Sequence, residues 1–110
     1  MYCLQLLGRM KNKEFIKKAI DKYDAYSRSQ RDVLKLFIDI SINHRVHASV
    51  KYISEQTSLK KSTIYFAINL FLKDEIIHRD TGASKALMLS KSKIQEILDI
   101  YKQKYSMENI

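Results

Sequence analysis

The sequence predicts a mainly α protein carrying one small β-hairpin, and three observations support that prediction. Apolar residues recur at helical spacing in successive segments, most clearly as Ile64, Ala67, Ile68 and Phe71 at i, i+3, i+4 and i+7. Two short apolar runs, Ile76–Arg79 and Lys85–Leu89, flank the turn-forming stretch Asp80-Thr81-Gly82-Ala83-Ser84, where Gly82 is available for positive φ. The chain has 110 residues, 45% of them hydrophobic. That is enough for one domain around one core, and too much for a generally disordered chain.

The elements follow in order. Lys11–Tyr26 is expected to be a helix with Phe15, Ala19, Ile20 and Tyr23 on its apolar face, and with Lys17 and Lys18 on a solvated charged face. Ser27-Arg28-Ser29 interrupts it. Ser29 is the expected N-cap of the next helix, with Asp32 in the first turn favouring the helix dipole. Val33, Leu36, Phe37 and Ile40 form a stripe widened by Leu34 and Ile38, so this helix is largely buried and ends near Asn43. Val46–Ala48 reads as a short strand. Ser49 caps a helix whose buried face is Val50, Ile53 and Tyr52. Thr57-Ser58-Leu59 makes a tight turn with Leu59 toward the core, and a helix runs from Lys61 to about Asp74. After the hairpin, Ser90 or Ser92 caps a last helix to about Tyr105, with Ile94, Ile97, Leu98 and Tyr101 on one face. No repeat, low-complexity tract or linker divides the chain. The expected organisation is one domain, 1–110, with a core at 27–89 between flanking helices at 11–26 and 92–105.

Charge narrows the function. Twenty Lys and Arg against twelve Asp and Glu give a net charge of +8 and a pI of about 9.6. Such a balance points to nucleic acid, and less to an anionic membrane or an acidic protein. No apolar run approaches the roughly 18 residues of a membrane span. The opening MYCLQLLGRM has no basic region ahead of its apolar run, so it is a poor secretion signal. Cys3 is the only cysteine, which excludes an intrachain disulfide and suits a cytoplasmic location. No Gly-rich phosphate loop, nucleophile elbow or paired cysteines occur, so no enzyme and no cofactor are expected. His44-x-x-His47 would need a carboxylate or Cys3 to hold a metal. No ligand cluster supports that, and surface histidines are expected instead.

The candidate site is the segment Ser49–Asp80. Lys60, Lys61, Ser62 and Thr63 stand at a helix start, where backbone N–H groups and the helix dipole favour an anion. Ser49 and Lys51, at the start of the preceding helix, join them as phosphate contacts. Tyr65, Phe66 and Asn69 lie opposite the apolar stripe. Asn pairs bidentately with adenine, and Tyr or Phe packs on a thymine methyl group. Phe66 fits either thymine reading or a protein contact. Arg79 and Lys85 flank the hairpin turn and suit phosphate, while the tip between them is neutral.

The order helix, helix, short strand, helix, helix, strand, turn, strand, helix resembles the winged helix-turn-helix fold over Ser27–Leu89. Ser62-Thr63-Ile64-Tyr65-x-Ala67-Ile68, then Phe71, then Ile76-Ile77-His78-Arg79, looks like the recognition helix and first wing strand of MarR- and GntR-type bacterial regulators. It also looks like the DNA-binding domains of plasmid and phage replication initiators. Ser29-x-Arg31-x-Val33-Leu34 is similar to the opening of the first core helix in those proteins. Ser58 and Glu75 stand where those sequences often carry glycine. The resemblance implies double-stranded DNA binding in transcriptional regulation. The alternatives are a role in plasmid or phage replication or maintenance, and a protein-interaction module that binds no DNA, which Phe66, Leu70 and Leu72 would favour. The resemblance also implies a homodimer joined through the terminal helices, by Phe15, Ile20 and Tyr23 on one and Ile97, Leu98 and Tyr101 on the other.

Overall fold

The computed structural model describes residues 13–80, 82 and 86–105. Helix α1 covers the described residues 13–21 and stops short of the expected Tyr26. Its last turn tightens, with the Lys22 and Tyr23 N–H groups donating to the Ala19 and Ile20 carbonyls. The chain then turns Tyr26 inward. That ring packs 5.1 Å from Phe71 and its hydroxyl donates to Asp74 at 2.9 Å. Burial of one aromatic ring outweighs continuation of an exposed helical turn.

Helix α2, Arg28–Ile40, is capped by Ser27, which corrects the expectation of Ser29. Ser27 Oγ accepts from the Gln30 N–H, and Gln30 Oε1 accepts from the Ser27 N–H. Only Ser27 has Gln three residues on, as a reciprocal capping box requires. The helix ends at Ile40 rather than near Asn43, because Ser41 turns extended; Asn43 and His44 then take positive φ, 52° and 66°. They form the tight turn that pairs Ile42 with Arg45 and starts strand β1, Arg45–Val46. α1 and α2 satisfy each other's C-termini: Lys13 Nζ donates to the Asp39 and Ser41 carbonyls, and Arg31 to the Asp21 carbonyl.

Helix α3, Val50–Thr57, starts at Ser49, whose Oγ accepts from the Tyr52 N–H as expected. Helix α4, Lys61–Lys73, follows after three residues. Strands β2, Ile77–Arg79, and β3, Leu87–Leu89, pair antiparallel, with Ile77 opposite Leu89 and Arg79 opposite Leu87. β1 adds to the other side of β3, so the sheet has the order β1-β3-β2. Gly82 does not take the positive φ expected of it. Asp80 makes the turn instead, its Oδ1 accepting from the Gly82 N–H two residues on. Helix α5, Lys91–Tyr105, is capped by Ser90, which accepts from the Lys93 N–H.

One core holds the described elements together. Phe37, Phe71, Ile20, Leu34, Ile53, Ile64 and Ile77 are fully buried. Ile94 and Ile97 of α5 join it from the other side. The residues expected at a dimer face pack on this core within the chain. Ile20 is 0% and Ile97 3% exposed. Within the same chain Phe15 meets Tyr101 edge-on at 5.4 Å, Tyr23 meets Tyr26 edge-on at 5.3 Å, and Leu98 packs against the same cluster. A chain of this size has few apolar residues for its core, and closing both terminal helices onto it buries more surface than leaving them open. Leu70 and Leu72, expected to favour a partner, are likewise half-buried against the core.

Candidate nucleic-acid interface

The α3–α4 turn is held by its own hydroxyls. Thr57 Oγ1 donates to the Ile53 carbonyl at 2.7 Å and accepts from the Leu59 N–H. Ser54 Oγ donates to the Leu59 carbonyl at 2.8 Å. Ser58 sits in the left-handed region at φ 62°, the place glycine usually takes after a helix. These contacts fix where α4 starts relative to α3. The back of α4 is then pinned by Ile64, Ala67 and Phe71, all fully buried.

The start of α4 differs from the other described helix starts. α2, α3 and α5 are each capped by a serine. α4 has Lys60 as N-cap, which carries no acceptor. The first bond into the helix is from the Ile64 N–H to the Lys60 carbonyl. Among the described residues, the N–H groups of Lys61, Ser62 and Thr63 have no acceptor. An anion at this point would meet three N–H donors, the positive end of the helix dipole, and the lysine and hydroxyl groups of the same residues.

Charge reinforces this. From Ser49 to Lys73 the sequence holds four lysines, Lys51, Lys60, Lys61 and Lys73, and one carboxylate, Glu55. The four lysines are exposed, and no ion pair among the described residues engages them. The ion pairs lie elsewhere: Lys17–Asp39 at 2.9 Å, Lys35–Asp21 at 2.6 Å, Arg45–Asp80 at 3.0 Å, Lys93–Glu96 at 3.8 Å and Lys104–Asp24 at 3.8 Å.

The outer face of α4 carries the other expected residues. Tyr65 is 55% and Phe66 65% exposed, and Asn69 is exposed beside them. Ser62, Phe66, Asn69 and Lys73 fall at i, i+4, i+7 and i+11, which makes one ridge along the helix. Lys73 was not among the expected site residues, although its place four residues after Asn69 marks it. Tyr52, expected toward the core, is 39% exposed on α3 instead. Ser49 and Lys51 are exposed at the start of α3, and Thr63 is half-buried. The Ser49 oxygen already accepts the capping bond, leaving its hydroxyl proton to donate.

Arg79 is exposed at the end of β2, at the base of the wing. Asp80 fixes that base, accepting from Arg45 at 3.0 Å and from the Gly82 N–H at 3.0 Å, while its own N–H donates to the Ala86 carbonyl. Lys85 lies outside the described residues, as does Cys3. His44, His47 and His78 are exposed. Partial burial, and then the nearby Lys91, lower the His44 pKa. Among the described residues no three His, Cys, Asp or Glu side chains group to hold a metal.

A cleft of about 310 Å³ opens between the α1–α2 turn, the end of α4 and α5. Its polar groups answer one another. Tyr26 donates to Asp74, and Lys93 faces Glu96. Burial, and then that bond to Asp74, hold the Tyr26 hydroxyl protonated well above the ordinary phenol range. No described helix is long and apolar enough to cross a membrane. No protein-family model matches this chain, and no curated protein and no solved structure is significantly similar to it.

Proposed function

We propose that this protein binds double-stranded DNA through α3, the turn and α4, with α4 in the major groove. The observation that carries this reading is the start of α4: an uncapped, basic helix N-terminus next to lysines that no carboxylate neutralises. Lys60, Lys61, Ser62 and Thr63 take phosphate oxygens on one side of the groove. Ser49 and Lys51 take them from the start of α3, and Arg79 from the wing. Tyr65, Phe66 and Asn69 then face base edges. The major groove is about 12 Å wide, which admits a helix presented on its outer face in this way. The use of such binding is transcriptional regulation in the cytoplasm, with replication or maintenance of a plasmid or phage as the alternative use of the same surface. As a homodimer, joined through the half-buried Phe15, Tyr23, Leu98 and Tyr101, the protein would present two such helices.

Titration of a labelled duplex across a salt series tests this. Each phosphate neutralised contributes about −0.9 to the slope of log K against log salt, so the four lysines alone correspond to a slope of roughly −4. A flat salt dependence, or no binding to any duplex at low salt, would remove the reading. A protein-interaction module is the second reading, favoured by Phe66 at 65% exposure. It requires a protein partner whose capture resists salt and is lost in Phe66→Ala.

A further inference from the structure

We infer that the DNA taken by α4 is an A·T-rich major groove, read through the methyl groups of thymine. The inference rests on the DNA-binding reading and adds the class of target. Between its first and last positions, the exposed ridge of α4 offers Ser62, Tyr65, Phe66 and Asn69. Guanine is most commonly read by a bidentate Arg or Lys on O6 and N7. The middle of this ridge has neither. Its only cations, Lys61 and Lys73, stand at the two ends of the helix, about 18 Å apart at 1.5 Å per residue. They are placed to reach phosphates on either side of the helix.

Phe66 has no polar atom and is 65% exposed. It gains from contact only where it meets an apolar group. In the major groove of unmodified DNA that group is the thymine C5-methyl. Tyr65 adds a second exposed ring on the same side. Asn69 follows Phe66 by three residues and Tyr65 by four, about 4.5–6 Å along the axis. That distance is one to two base steps, so an adenine read by the Asn69 amide adjoins the thymines met by the rings. Phe71, Ile64 and Ala67 behind this face are fully buried, so the rings cannot turn inward without opening the core.

The experiment selects bound duplexes from a random pool. It then compares the selected duplex with one in which deoxyuridine replaces thymine, removing the methyl group and leaving pairing intact. The expected result is an A·T-rich core, with affinity falling about fourfold for each contacted methyl lost, the value of one buried methyl-sized group. In Phe66→Ala the thymine preference over deoxyuridine should shrink by about fourfold, the share of one methyl, with the salt slope unchanged and the share of Tyr65 kept. Phe66→Leu should restore part of the preference. Position 66 is exposed enough for both variants to fold. A steep salt dependence with a G·C-rich selection, or with equal affinity for thymine and deoxyuridine duplexes, overturns this inference and leaves DNA binding standing. No duplex binding at all, or tighter binding to the same strands unpaired, overturns both.

Discussion

On the α1–α2 side of the molecule, Lys17 meets Asp39, Lys35 meets Asp21, and Lys13 and Arg31 close helix C-termini. On the α3–α4 side, Lys51, Lys60, Lys61 and Lys73 meet no carboxylate among the described residues. The residue type is similar, but these cations of α1 and α2 are half-buried, those of α3 and α4 are exposed, and the surroundings differ. α1 and α2 carry Glu14, Asp21, Asp32 and Asp39 within reach of their cations, whereas α3 and α4 carry Glu55 alone. Positive charge therefore serves internal cohesion on one side and is left for an external anion on the other. The net charge of +8 does not distinguish the two sides, but the distribution of carboxylates does.

The two regions meet at Phe71, and removing it is the largest perturbation available. Its ring lies 6.3 Å from Phe37 of α2 and 5.1 Å from Tyr26, and is fully buried. Phe71→Ala should cost about 3–5 kcal/mol in a denaturant melt. A loss below about 1 kcal/mol would mean that α4 is not anchored to α2 as described.

Lysine replacements separate the sides directly. Lys60→Ala with Lys61→Ala should weaken binding to all duplexes about equally and flatten the salt slope by about two, leaving stability within about 0.5 kcal/mol. Lys17→Ala with Lys35→Ala should do the opposite. Duplex affinity should hold, and stability should fall by about 0.5 kcal/mol for each exposed or half-exposed pair, less at high salt. Equal effects of the two double variants on duplex binding would erase the contrast between the faces.

The contact at the α1–α2 turn, where Tyr26 binds Asp74, can be broken separately. Its pKa is raised in the fold, chiefly by burial and then by that hydrogen bond. The unfolded chain releases this proton at about pH 10 and the folded chain only above that. Stability from this group is thus complete below about pH 10 and lost as pH rises through the folded value. Tyr26→Phe should lower stability by about 1 kcal/mol at neutral pH and reduce the alkaline loss. An unchanged alkaline limb in chemical melts from pH 9 to 11 would show that Tyr26 does not cause it.

Much of the fold can be read in the chain because apolar periodicity is a local property. Ile64, Ala67 and Phe71 define α4, and Val33, Leu34, Phe37 and Ile38 define α2, without knowledge of their neighbours. The Ser49 cap and the basic start of α4 are equally local. The Ser27–Gln30 box was legible too, but Ser29 and Asp32 offered a competing cap two residues later. Other features had no clear local signal. Asn43, His44, Ser58 and Glu75 take positive φ where no glycine marks it. Lys85 remains a sequence expectation for the wing.

Residue pattern alone specifies the number and kind of elements, the basic helix start and the exposed identity of Phe66 and Asn69. A repeat of 3.6 residues states that a helix has a buried face, but not what lies against it. Tertiary structure decided that α1 and α5 cover their own core, that Tyr26 leaves its helix to reach Asp74, and that β1 joins β3. It also decided which lysines lie near carboxylates. Pairing depends on distance through space, and residues as far apart in the chain as Lys17 and Asp39 acquire a distance only when the core has closed.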